Sequence, residues 1–120
     1  MSSEGRGTVL VVDDDRVVAG LAGEILRSAG YDVHVANDAP EALAVVERLD
    51  VDVVVTDVVL GAVDGVDLAE AIARVRPAAK VIFMSGYGAH TRGPAPNDPV
   101  LGKPFTPAEL RDRVVAALGS

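Results

Sequence analysis

Two hydrophobic rhythms alternate along the chain. Unbroken apolar runs at Thr8 to Val12, Val53 to Val55 and Lys80 to Met84 read as strands buried on both faces, because helices cover both sides of a parallel sheet. Between them apolar residues recur every three or four positions, the spacing of one helix face. Val17, Leu21 and Ile25, with Val18, Ala22 and Leu26, form such a stripe. Asp15 is placed to cap its start, and Gly30 to end it. Tyr31 to Ala36 instead alternates, with Val33 and Val35 on one side and Asp32 and His34 on the other. That is the pattern of a strand wet on one face, expected at a sheet edge.

The same punctuation continues to the end of the chain. Asp38 followed by Glu41 reads as a capping box for a helix carrying Ala42, Val45, Val46 and Leu49. Gly61, Asp64 and Gly65 mark a loop, and Leu68, Ala69, Ile72 and Val75 a third helix that stops before Pro77. Residues 86 to 99 hold three glycines and three prolines, so the fourth helix is expected to be shortened or absent. A short strand at Val100-Leu101 precedes Lys103-Pro104-Phe105. Thr106, Pro107 and Glu109 then open a last helix lined by Leu110, Val114, Ala117 and Leu118.

Strands alternating with helices predict an α/β fold, a (βα)5 three-layer sandwich of the flavodoxin-like kind with right-handed crossovers. With the alternating strand at one edge and the Val-rich strands inside, the predicted sheet order is 2-1-3-4-5. In that order the chain reverses direction between strands 1 and 3, and their carboxyl ends flank the crevice where such folds bind ligands.

Composition narrows the reading without changing it. A chain of 120 residues that is 49% hydrophobic supports one domain core. Residues 1–7 are expected to be a flexible tail and 8–120 the domain. No cysteine is present, which excludes thiolate metal sites and cysteine nucleophiles. A formal net charge of −7 opposes binding to nucleic acid or anionic membrane. Neither a membrane span nor a signal peptide is legible, so a cytoplasmic protein, monomeric or weakly dimeric, is expected.

Four of the five predicted strand ends carry chemistry. Asp13 and Asp14, Asp57, Ser85 and Lys103 all fall at or just after the end of a different strand and converge on one rim. Asp57 alone would read as a turn residue; the company of the other four makes it a reactive group. Packed carboxylates repel unless a cation sits among them, and hard oxygen ligands open to water suit Mg²⁺. A carboxylate can accept a phosphoryl group covalently, with Lys and Ser binding its oxygens. Asp15 reads as a helix cap, His34 and His90 as having no chemical role, and Tyr87 either as a gate to the rim or as its cover.

Leu10-Val11-Val12-Asp13-Asp14, Asp57 with Gly65 eight residues on, Phe83-Met84-Ser85-Gly86 and Lys103-Pro104-Phe105 together resemble the receiver domain of two-component response regulators, including receivers of hybrid histidine kinases. The resemblance spans residues 8 to 118. It implies that Asp57 is the phosphoacceptor and that Mg²⁺ is held by Asp13, Asp14, Asp57 and the backbone carbonyl of Val59, with Asp14 binding directly and Asp13 largely through water. It also implies that Ser85 moves toward the phosphoryl group, that Gly86 keeps access open, and that the Lys103–Pro104 bond is cis. The implied phosphodonor is a phosphohistidine on a histidine kinase or a histidine phosphotransfer protein. With no output domain after Ser120, the signal is expected to pass through contacts with a downstream protein.

Three positions depart from the family pattern. Gly61 replaces a customary proline, Val100 replaces an inward-swinging aromatic, and the Gly/Pro-rich stretch replaces most of the fourth helix. An interaction module working independently of phosphorylation is therefore the alternative reading. A hydrolase turning over aspartyl phosphate is opposed by Val59, which stands where a second Asp would be needed.

Overall fold

The computed structural model describes residues 7–61, 63–85 and 100–119, with the Val100 side chain excepted. Strands β1 (Thr8–Val12), β2 (Asp32–Ala36), β3 (Val53–Asp57), β6 (Lys80–Ser85) and β7 (Val100–Gly102) form one five-stranded sheet in the order β2-β1-β3-β6-β7. All its pairings are parallel. This is the predicted 2-1-3-4-5 order, its numbering displaced by an added hairpin, β4 (Val59–Leu60) with β5 (Val63–Asp64). Gly61, Asp64 and Gly65 predict only a loop there, because strands of two residues are too short to show a period.

Alternation along the strands builds two cores. Val9, Val11, Val53, Val55, Ile82, Met84 and Leu101 pack on one face with α1 (Arg16–Ser28) and α4 (Pro107–Leu118). Leu10, Val12, Ala36 and Val54 pack on the other with α2 (Ala39–Arg48) and α3 (Gly65–Val75). A one-residue slip of β1 or β3 would exchange the two sets and leave each helix facing the wrong side chains. β2 is an edge, as its alternation predicts, and its first N–H bonds Gly7 O at 2.9 Å. The Arg27 guanidinium donates to Val33 O at 3.2 Å. That covers an outward carbonyl of a strand otherwise open to pairing with another chain.

The structure corrects two local readings. The α1 stripe is not wholly buried: Ala19, Ala22, Gly23 and Leu26 face the core, whereas Val17 and Leu21 are 79% and 58% exposed. Helical spacing registers which residues share a face, and this stripe is wider than the strip of helix the sheet covers. The second correction is the capping box of α2. Asp38 accepts the Glu41 N–H as expected, but the Glu41 carboxylate bonds the backbone N–H of Asn37 at 2.7 Å rather than that of Asp38. The box at Thr106 and Glu109 is complete. Residues 86–99, and with them the expected loss of the fourth helix and the readings for Gly86, Tyr87 and His90, lie outside the described residues, as does the Val100 side chain.

Candidate functional site

Four strand ends meet on one rim, and backbone bonds set their heights. Val58 N–H donates to Met84 O at 2.9 Å, which fixes the end of β3 against β6. Lys103 N–H donates to Ser85 O at 2.8 Å, so the residue after β7 stands beside Ser85. Asp13 N–H donates to Ala36 O at 3.2 Å, tying the end of β1 to the end of β2. The register pairs Asp57 with Met84 and Ser85 with Gly102, which brings the predicted Asp57, Ser85 and Lys103 to neighbouring strand ends.

The side chains complete the cluster. The Lys103 ammonium bonds Asp13 Oδ2 at 2.8 Å and Asp57 Oδ2 at 2.6 Å. Asp13 is fully buried, and its other oxygen accepts the Asp15 N–H at 2.9 Å. Asp57 keeps a small exposed area, 12% of its side chain, and its Oδ1 accepts the Val59 N–H at 3.0 Å. Asp14 is exposed. Each of Asp13, Asp14 and Asp57 offers one oxygen, and the three lie within 4.8 Å of one another.

Burial raises the Asp13 carboxyl above the ordinary aspartate range, against the opposing pull of the Lys103 hydrogen bond. Burial pulls Lys103 the other way, but its hydrogen bonds to Asp13 and Asp57 outweigh that, and the ammonium is held above its ordinary value. Among the described residues the site thus contains one cation for three carboxylates. This donor set fits a hard divalent cation: all-oxygen ligands, one side open to water and an uncompensated negative charge. Val59 sits beside it, on the hairpin strand paired to Asp64.

Two glycines make the geometry possible. A Cβ on Gly65 would lie 2.1 Å from the carbonyl oxygen of Asp57 and 2.9 Å from Val58 Cα, so α3 starts directly against the backbone that carries the carboxylate. Gly61 turns the hairpin at φ +59°, a conformation closed to the proline the family customarily has there. The Lys103–Pro104 bond is cis, as the resemblance implied. Asp15 caps α1 through Val17 and Val18 N–H, as expected. His34 lies in the middle of β2, with Nε2 3.5 Å from Asp32 and without a hydrogen-bond partner for that nitrogen among the described residues.

A model of the response regulator receiver domain matches residues 9–115. The chain belongs to that family. The receiver is 39% identical over 117 residues to the sensor kinase CckA of Brucella abortus (strain 2308), covering 92% of this chain and 12% of that one. It is 32% identical to the alkaline phosphatase synthesis transcriptional regulatory protein PhoP of Bacillus subtilis (strain 168), covering 92% of this chain and 48% of that protein. The receiver therefore spans half or less of these relatives. Among solved structures, it superposes on the receiver domain of the hybrid histidine kinase CckA with TM-score 0.81 at 32% identity, covering 93% and 99% of the two chains. On the CheY-like receiver of Methanospirillum hungatei JF-1 the score is 0.82 at 28% identity, with 94% of each covered.

Membership makes this a regulatory module of two-component signalling, on the flavodoxin-like fold, and receivers of this family bind Mg²⁺ at such an acidic cluster. No helix among the described residues is long and apolar enough to cross a membrane. One residue at the rim is not predicted by the sequence pattern. The Asn37 amide donates to Asp13 O at 3.0 Å and accepts from Arg16 Nη1 at 3.2 Å. Its only sequence signal was a polar residue at a strand end, which reads equally well as a turn.

Proposed function

We propose that this receiver accepts a phosphoryl group on Asp57 from a phosphohistidine of a histidine kinase or histidine phosphotransfer protein, with Mg²⁺ required. The observation that carries the reading is the Lys103 ammonium bonded to both Asp13 and Asp57, with Asp14 open beside them. A buried carboxylate at a strand end, one oxygen fixed by a backbone N–H and the other by an ammonium, is oriented as a nucleophile whose rotamer is already chosen. An Asp57 oxygen forms the bond to phosphorus, the bond from phosphorus to the donor nitrogen breaks, and its electron pair returns to the imidazole. Asp13, Asp14, Asp57 and the Val59 carbonyl would hold the Mg²⁺, which supplies positive charge against the transferring phosphoryl oxygens.

Lys103 is within reach of a phosphoryl oxygen carried on Asp57, and Ser85 on the adjacent strand end supplies a hydroxyl for another. Phosphorylation adds negative charge where one ammonium already serves two carboxylates, and drawing Ser85 and Lys103 toward it shifts the rim between two arrangements that a downstream protein reads. Val17 and Leu21, exposed on α1, and Val59, 47% exposed on the hairpin, put apolar surface on the two elements that follow Asp14 and Asp57 in the chain. Such a surface suits a protein donor better than free phosphate.

The test uses phosphoramidate, a small donor with the same phosphorus–nitrogen bond. Incorporation with Mg²⁺ and none after chelation is expected. Equal incorporation in both conditions would remove the metal from the reading, and none in either would remove the reading itself.

A further inference from the structure

Asn37 belongs to none of the roles described above, yet it is bonded on three sides. Its Nδ2 donates to the carbonyl of Asp13 at 3.0 Å, its Oδ1 accepts from the Arg16 guanidinium at 3.2 Å, and its own backbone N–H is held by Glu41 Oε1 at 2.7 Å. The amide's orientation follows from the partners. A guanidinium only donates and a carbonyl only accepts, so turning the amide over would put donor against donor and acceptor against acceptor.

The carbonyl it holds is that of the peptide joining Asp13 to Asp14. The two ends of that peptide have very different support. Asp13 is anchored by Ala36 O, Asp15 N–H and Lys103, whereas Asp14 is exposed and lies in the short link between β1 and α1. Asn37 is the polar side chain that reaches this link from β2, and Glu41 ties Asn37 in turn to the first turn of α2. Arg16, the first residue of α1, closes the loop from the other side.

We infer that Asn37 is a positioning residue for the divalent-cation site. By holding the Asp13–Asp14 peptide it sets where the Asp14 carboxylate stands relative to Asp13 and Asp57. This deepens the proposed function and rests on it. Partners of this kind, one bond removed from the ligands, typically change metal affinity about 10- to 100-fold when lost. Here the bond to the carbonyl is only part-buried and water can replace part of it, so the effect is set lower, at about 3- to 10-fold.

The experiment compares the wild-type chain, Asn37→Ala, Arg16→Ala and the double variant. Phosphorylation by phosphoramidate is followed across a Mg²⁺ titration, with direct calorimetric titration of Mg²⁺ alongside. In Asn37→Ala the Mg²⁺ concentration for half-maximal rate rises about 3- to 10-fold, while the rate at saturating Mg²⁺ stays within about twofold of wild type. Arg16→Ala shows a smaller shift in the same direction, and the double variant matches Asn37→Ala, because the two act through one link.

An unchanged half-saturation in Asn37→Ala overturns the inference. So does a lowered maximal rate at unchanged half-saturation, which is the behaviour of a general structural defect. If wild type binds Mg²⁺ calorimetrically but takes no phosphoryl group, the phosphoacceptor reading falls alone and the calorimetric comparison decides the role of Asn37. If wild type binds no Mg²⁺, both fall.

Discussion

Replacing Lys103 with alanine removes the one ammonium that Asp13 and Asp57 share, and the structure sets the scale of the consequence. Asp13 is fully buried, and one of its oxygens lies within 4.8 Å of one on Asp57. Two unit charges at that separation repel by about 3 kcal/mol at an effective dielectric of about 20. Breaking a buried pair by deleting one partner costs about 3–5 kcal/mol. Lys103 keeps 20% of its side chain exposed and Asp57 keeps 12%, so solvent screens part of this, and a loss of about 2–3 kcal/mol at pH 7 without divalent cations is expected.

The pH dependence has a definite sign. Burial already raises the folded-state Asp13 carboxyl above 3.8, and Lys103 opposes that rise. Without Lys103 it rises further. A group whose folded value lies above its unfolded value contributes stability below the unfolded value and loses it as pH climbs through the folded one. The gap between wild type and Lys103→Ala is therefore small near pH 3.8 and opens as pH rises above it. Mg²⁺ narrows it, by restoring positive charge among the carboxylates. Urea unfolding of both proteins across pH, with chelator and with Mg²⁺, measures all three. A variant as stable as wild type at pH 7 in chelator, or a gap that does not close on acidification, would show that Lys103 does not offset the charge of Asp13 and Asp57.

Other expectations follow from the same geometry. Gly65→Ala puts a methyl 2.1 Å from the Asp57 carbonyl oxygen; the end of β3 must move, and a loss of about 3 kcal/mol or a failure to fold is expected from the urea midpoint. An unchanged midpoint would mean that the start of α3 yields freely. Gly61→Pro restores the residue the family favours, yet φ is +59° here and proline is fixed near −65°. A loss of about 1–3 kcal/mol, seen as a lower urea midpoint, is expected where family statistics alone would anticipate a gain. On acidification Asp13, whose carboxyl is raised by burial, takes up a proton that Mg²⁺ must then displace. Apparent Mg²⁺ affinity should therefore hold at neutral pH and fall on acidification before an ordinary aspartate would protonate, with protons released on binding; calorimetry in buffers of different ionisation enthalpy detects them.

The sheet order and the chemical rim were legible because both depend on patterns that survive without coordinates. Unbroken apolar runs locate buried strands, and the residue that ends each run is by construction on the carboxyl edge. This is why Asp13, Asp57, Ser85 and Lys103 could be placed together before any distance was known. The hairpin after β3 was not legible, since two-residue strands carry no period. The exposure of Val17 and Leu21 was hidden because helical spacing defines a face but not how much of it a neighbour covers. Asn37 and the displaced partner of Glu41 were hidden for a third reason. A side-chain amide or carboxylate has several backbone partners within reach, and tertiary placement of the β1–α1 link decides which one it takes.

Whether Asp57 is a metal-assisted phosphoacceptor is decided by intact-mass measurement after exposure to a small phosphodonor with Mg²⁺. Wild type should gain one phosphoryl group, lose the gain on chelation of Mg²⁺ before the donor is added, and show none in Asp57→Asn. No gain in wild type, or an equal gain in Asp57→Asn, would contradict that role.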